Sequence, residues 1–378
     1  MLGSIKLSLL IGAGIPVPAP GCAIEALTSV KVDSGSGESQ SGFELTFDVP
    51  LRSPLRTLFL ASGGGAVGGV PLMRVVLIVT MNGRADPIID GVATDIEAQP
   101  TDSGNTKIVV KGKDLTALMD LNEIRGLPYP ATPPSVRVLA ILARYAAFGV
   151  VPLVIPAVVD EPPVPTERIP QQQGTDLKYI RRLAKEAGYV FFMEPGPVPG
   201  MSRAYWGPEI RVGAPQPALT TGMDGVSNVD QISFHMDREA KSIPIVYFHE
   251  ARSHLSIGLP IPDITPMNPP LGLVPPLPPK IEHLSETGHL TPGQAMMHGL
   301  AYVAQHSDAV FGSGTLDVAR YGHVLKSRSL VGVRGVGLPY DGLHYVRNVT
   351  HDIQRGSYKQ TFSLARNGLF STVPMVPT

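Results

Sequence analysis

The stretch that most constrains this chain is Gln171 to Pro195, QQQGTDLKYIRRLAKEAGYVFFMEP. Leu177, Ile180, Leu183, Ala184 and Ala187 recur at helical spacing, while Lys178, Arg181, Arg182, Lys185 and Glu186 fall on the other face. Thr175 stands where a side-chain oxygen can accept a first-turn amide proton, and Gly188 where a left-handed closing residue belongs. Tyr189 to Met193 follows at once as an apolar run, which predicts a buried strand. A helix that feeds a strand with no linker must lie back on a sheet. This stretch therefore predicts a packed helix-strand unit and carries no obvious chemistry.

Most of the remaining chain reads as strand. Gly 40 and Pro 38 in 378 residues are too many breakers for a helical protein and suit many turns. Strands are expected at Leu7–Ile11, Leu27–Val32, Phe43–Val49, Val75–Met81, Ile88–Ala98 and Lys107–Lys111. In the later half they are expected at Val229–Met236, Ile243–Glu250, Gly314–Val318, Leu330–Val333, His344–Gln354 and Tyr358–Ala365. Helices are expected at Asp114–Leu121, from Ser135 to about Phe148, and from Thr291-Pro292 to about His306, where a cap precedes proline. Residues 258–279 are dense in proline and read as a long extended loop. The chain divides into a first β-barrel over 1–121, an inserted α/β domain over 122–225, and a second β-barrel over 226–378. The fold class is mainly β with an α+β insertion.

The second barrel is expected to be related to the first. Ile88 to Ile96, IIDGVATDI, aligns without gaps on Tyr345 to Ile353, YVRNVTHDI, sharing Val, Asp and Ile. Each is followed by a turn and an apolar strand.

Composition narrows the function classes. A formal net charge of -1 gives no basic field for nucleic acid or an anionic membrane. The apolar run from Ala146 to Val159 is short and interrupted by Pro152 and Pro156, so no membrane insertion is expected. The single cysteine, Cys22, excludes an internal disulfide framework and fits a reducing cytosol. Lys6, the run Leu7 to Val17 and Ala19-Pro20-Gly21-Cys22 also have the outline of a lipoprotein signal, giving the alternative of an exported lipoprotein anchored at Cys22.

Gly63 to Gly69 satisfies G-x-G-x-x-G, but Pro71 and a strand follow where a phosphate site needs a helix, so a loop is expected. His249-Glu250-Ala251-Arg252-Ser253-His254 has one residue too many between its histidines for a zinc helix, and the segment leaves a strand. His283, His289, His298 and His306 are irregularly spaced and lack cysteine partners. No nucleophile elbow is present, and Trp206 reads as core or interface. No catalytic, cofactor-binding or metal residue is assigned, and no cofactor is expected.

Gln171, Thr175-Asp176, an aromatic at Tyr179, Arg182-Leu183-Ala184, Glu186 and Gly188-Tyr189 resemble the hub proteins of contractile tails: phage late control D proteins and the N-terminal hub of VgrG proteins. The opening strands, with Pro16-Val17-Pro18 and Leu27-Thr28-Ser29-Val30-Lys31-Val32-Asp33, and the closing Tyr345 to Ile353 with Gly356-Ser357-Tyr358 resemble the same family, so the likeness spans nearly the whole chain. The resemblance implies a structural baseplate hub and not an enzyme. It implies a homotrimer whose three chains give two barrels each to a pseudo-sixfold ring, between a six-fold inner tube and a three-fold spike. Other baseplate proteins are expected partners, with assembly in the bacterial cytoplasm. Unlike VgrG, the chain has only nine residues after Leu369, so a separate spike protein is expected. The competing class is a tail-associated cell-wall hydrolase.

Overall fold

The computed structural model describes residues 5–13, 15–36, 39–50, 53, 73–101, 104–157, 160, 162–166, 169–222, 227–250, 255–261, 269–277, 280–284 and 292–373. The glycine run 63–69 and residues 251–254 of the histidine-flanked run lie outside them. The architecture is mainly β with an α+β insertion.

The first β unit has six main strands: β1 (Lys6–Ala13), β2 (Leu27–Gly35), β3 (Gly42–Pro50), β4 (Met73–Met81), β5 (Arg84–Pro100) and β6 (Asn105–Asp114). A short helix, α1 (Gly21–Ala26), leads into β2 and leaves Cys22 exposed. Strand β4, MRVVLIVTM, is buried along almost its whole length, as a continuous β-branched run between two neighbours should be. The sheet order is β1-β4-β5-β6-β3-β2.

The inserted unit begins as β6 closes. Asp114 accepts the Thr116 amide at 3.0 Å and the Ser41 amide at 2.9 Å, starting the 3-10 turn Leu115–Asp120 where a helix was expected. Helix α2 (Pro134–Ala143) is shorter than the expected Ser135 to Phe148. Tyr145 leaves helical geometry, donates its hydroxyl to Asp176 at 2.8 Å, and a separate 3-10 turn, Ala146–Phe148, runs to Gly149. A strand that the prolines concealed follows. Strand β7 (Val150–Val154) carries Pro152 and lies at the edge of its sheet, where a missing N–H is tolerated.

Helix α3 (Asp176–Ala187) forms as its sequence dictates. Thr175 Oγ1 accepts the Lys178 amide at 3.3 Å, and Gly188 closes the helix at φ 73°. A side chain at Gly188 would also strike Ala301, so the position requires glycine twice over. The chain enters β8 (Val190–Pro195), which pairs antiparallel with β9 (Ser202–Gly207), and β9 pairs parallel with β7. Leu177, Ile180, Leu183 and Ala184 are buried with Val138, Ile141, Phe191, Met193 and Trp206 in one core. Trp206 belongs to that core, with its ring edge-on to Tyr189.

The chain returns through β10 (Gln216–Thr220), a strand not among those expected from the sequence. The second β unit continues with β11 (Gln231–Met236). A small three-stranded sheet of Ser242–Glu250, Leu255–Pro260 and Lys280–Leu284 then packs under helix α4 (Pro292–Gln305). The unit finishes with β12 (Val310–Asp317), β13 (Leu330–Arg334), β14 (Gly342–Gln354) and β15 (Ser357–Arg366). The expected loop over 258–279 is corrected at both ends. Pro260 ends a strand, and Gly272–Val274, flanked by Pro270 and Pro275, pairs with Leu369–Ser371.

Candidate assembly interface

The second unit has the sheet order β10-β13-β14-β15-β12-β11. Taken strand by strand in chain order, this is the order of the first unit. The pairing registers agree as well. In the first unit β4 stops pairing at Val92, and the β5–β6 ladder shifts between Ala93 and Asp95. In the second, β13 stops at Tyr345 and the β14–β15 ladder shifts between Val346 and Asn348. Matching these bulges lays Asn105–Asp114 on Ser357–Arg366. It also lays Val30 and Val32 of β2 on Ile232 and Phe234 of β11, all packed on the same core. The repeat is therefore real in topology, but the expected alignment was displaced. Val92 is the counterpart of Tyr345, four residues from Ile88. Shared Val, Asp and Ile in β-rich runs matched by composition, whereas bulges mark the backbone register. One strand departs from the pattern: β1 is antiparallel to β4, but β10 is parallel to β13.

Among the described residues the two units meet in one strand-paired seam. Residues Asn348 to Gln354 of β14 pair antiparallel with Gly35 to Ser29 of β2, making one continuous sheet of 13 strands, the thirteenth being the two-residue strand Val17–Pro18 beside β1. Thr350 Oγ1 donates to Asp33 Oδ1 at 2.6 Å, and the Ser36 amide to the Arg347 carbonyl at 2.6 Å. Lys326 Nζ reaches Asp86 Oδ1 at 2.6 Å across the junction. Val30, Val32, Val346, Val349, Phe362 and Leu364 share one core.

Near the seam, His351 is buried and its Nδ1 is 2.7 Å from the Tyr358 hydroxyl. Burial lowers its pKa to about 4. His344 is lowered to about 3, first by burial and then by the nearby Arg366 guanidinium. Both imidazoles are therefore neutral at pH 7.

The inserted unit is tied to the frame by buried ions. Arg74 on β4 forks onto Asp90 on β5 at 2.8 and 2.7 Å, and the same guanidinium donates to the Gly200 carbonyl at 2.8 Å. Ser202 Oγ donates to Asp90 Oδ2 at 2.8 Å. Arg211 is buried against Asp308 and over the Tyr345 ring. A cavity of about 490 Å³ lies at this junction, lined by Arg84, Asp86, Glu194, Arg203 and Lys326 among others. Of its charges, Arg203 pairs with Glu194 and Lys326 with Asp86, while the Arg328 guanidinium lies over the Phe192 ring.

The histidines singled out from sequence do not converge. His283 bonds the Tyr247 hydroxyl at 2.8 Å, His306 stacks on Tyr302, and His298 lies on α4; His289 is outside the described residues. Among the described residues no group of three or more His, Cys, Asp or Glu could hold a metal ion. Among them, too, no helix is long and apolar enough to cross a membrane.

No protein-family model and no curated protein matches the sequence. Solved structures do. A tail protein from Neisseria meningitidis superposes with a TM-score of 0.61 at 14% identity, covering 97% of this chain and 98% of its own. A 43 kDa tail protein of a Shewanella oneidensis prophage gives 0.57 at 15%, covering 98% and 100%. A Francisella PdpA-VgrG complex gives 0.59 at 9%, covering 99% of this chain but 60% of the matched one. The chain has the fold of phage tail proteins and of type VI secretion VgrG components.

Proposed function

We propose that this chain is the structural hub of a contractile phage tail or contractile injection system, working as a trimer. The observation that carries the reading is the repeat: one polypeptide supplies two β units of the same strand order and ladder register. Three such chains present six similar units to a six-fold tube on one side, while keeping the three-fold symmetry of a spike on the other. We assign the first unit to residues 1–121 and the second to 226–378 together with β10, with the rest of 122–225 as an insertion facing other baseplate proteins. The role is mechanical: symmetry adaptation, baseplate nucleation and closure of the tube's lower end, with no turnover. Assembly takes place in the bacterial cytoplasm before the particle acts. The fold's recurrence in tail proteins and in VgrG supports this reading.

The test is a reconstruction of the particle that contains this chain. Three copies in one ring between tube and spike is the expected result. One or six copies, or purified chain that degrades peptidoglycan, would overturn the proposal.

A further inference from the structure

Among the described residues the repeat leaves two matching sheet edges without partners. On its β4 side, β5 is paired only as far as Val92, so residues 93–101 have, among the described residues, an open edge on that side. The corresponding edge of β14, past the end of β13, is the one that β2 occupies in the intramolecular seam. The counterpart of β2 is β11, and β11 ends the sheet with its outer edge unpaired among the described residues. Each half of the seam therefore recurs once in the molecule with its partner missing. The two recurrences are complementary to each other.

We infer that β11 of one copy adds to the open edge of β5 in the next, repeating between chains the β2–β14 seam found within one. The repeat fixes the register. Transferring the β2–β14 pairing through the matched bulges sets Ile96 against Met236, Ala98 against Phe234 and Pro100 against Ile232. Glu97 then meets His235, and Gln99 meets Ser233.

The faces agree independently of that transfer. Ile96, Ile232 and Phe234 already pack on the core side in the single chain. Residues directly opposite in an antiparallel pair share a face, so this register joins core side to core side and continues the apolar layer. A slip by one residue would turn every one of these side chains over. Strand β11 is half-buried and exposed by turns along its whole length, the pattern of a strand covered on one face. Asp95 opposite Asp237 is the one unfavourable pair, at the end of the run and beside Arg238.

An ordinary protected edge is the bland reading. Charges at Asp95 and Glu97 and a proline at 100 are the usual means of discouraging pairing. It does not account for two open edges that correspond, residue for residue, to the two sides of a seam already formed. The contact is head-to-tail, so it generates a ring if the rotation closes. The seam rests on the hub reading only for the number of copies.

The test uses full-length chain carrying Cys22→Ser, in which Gln99→Cys and Ser233→Cys are made separately. Both positions are exposed, and each variant is first shown to melt with the parent. The two variants are mixed under assembly conditions, with tube and spike proteins present, and oxidised. A covalent dimer is expected from the mixture and from neither variant alone. Pairing Gln99→Cys with Arg238→Cys, five residues out of register or roughly 17 Å away along the strand, is expected to give none. One chain bearing both Gln99→Cys and Ser233→Cys should give a ladder ending at three. Rings that form without the predicted link, or with the shifted one, overturn the seam and leave the trimer standing. A ladder ending at another number keeps the seam and overturns the trimer. No oligomer under any of these conditions overturns both.

Discussion

The β frame and the inserted unit are held together by different physics. The frame is one ladder of backbone hydrogen bonds over one apolar core, and its two halves are joined by strand pairing. The insertion has a core of its own, which borrows Val92, Leu115, Leu118 and Met119 from the end of the first unit. It is fastened by side chains, chiefly the Arg74–Asp90 pair gripping Gly200 and Ser202. Strand pairing spreads a load over many weak contacts, so single substitutions there are diluted. A dense small core and a buried ion pair concentrate it. The insertion should therefore fail at single residues, and the frame should not.

The largest expected effect is Ile180→Asp. Ile180 is fully buried between α3 and β8, so the change removes its burial and adds an uncompensated carboxylate. About 4 kcal/mol or more should be lost, much of a domain's net stability. Limited proteolysis should cut the 122–225 region while the frame resists, and co-expression with the particle proteins should yield few sheathed tubes by electron microscopy. Normal particle counts would show that α3 does not hold the insertion. Next comes Asp90→Ala, which leaves Arg74 buried without its carboxylate. A loss of about 3 kcal/mol in chemical denaturation is expected, exceeding that of Ser202→Ala, which removes one hydrogen bond worth about 1 kcal/mol. Equal losses would mean that the ions are not the fastening.

The frame's sensitive point is titration. His351 is neutral when folded, with a pKa of about 4 against an ordinary value near 6.5. Between those values the unfolded chain binds a proton that the folded chain refuses. The stabilisation is therefore full above about pH 6.5 and lost as pH falls towards 4. One pH unit below 6.5 should cost about 1 kcal/mol from this group alone. His351→Gln should flatten the fall in melting temperature over that window, whereas a change in the insertion should not. His344 adds to the wild-type slope and is common to both proteins, as is Asp114, whose carboxyl burial raises. An unchanged slope would place acid sensitivity outside the seam.

What could be read from sequence followed period and punctuation. Helix α3 was legible because its cap, stripe and closing glycine agree over Thr175 to Gly188. Strands such as β4 and β15 stood out as β-branched or alternating runs. Strand β7 was concealed by Pro152, because edge position, which makes that proline harmless, is a tertiary fact. The repeat was visible as a suspicion at Ile88 and Tyr345 but in the wrong register. What defines it is the point where β4 and β13 stop pairing, and pairing leaves no mark in the letters. For the same reason the open edges of β5 and β11 were invisible. The buried ties could not be foreseen either, since Ser202 lies 112 residues from Asp90 and Gly200 lies 126 from Arg74.

The smallest expected effect tests how sharply the load is concentrated within the insertion. Sequence placed Arg181 and Arg182 together on the outer face of α3, but the structure separates them. Arg181 is half-buried and engaged with its surroundings, so its loss should be felt. Arg182 is exposed, with its guanidinium 4.9 Å from the centre of the Tyr179 ring and its Nε 3.8 Å from Glu186. An exposed cation over a ring and a pair one turn apart on a helix each contribute no more than about 1 kcal/mol. Arg182→Ala should therefore lower the unfolding free energy by no more than about 1–2 kcal/mol, one helical step from residues whose loss unfolds the unit. A small stability change combined with failed particle assembly would have a different meaning. It would mark this face of α3 as a contact for a neighbouring baseplate protein, and the insertion as an adaptor in its own right.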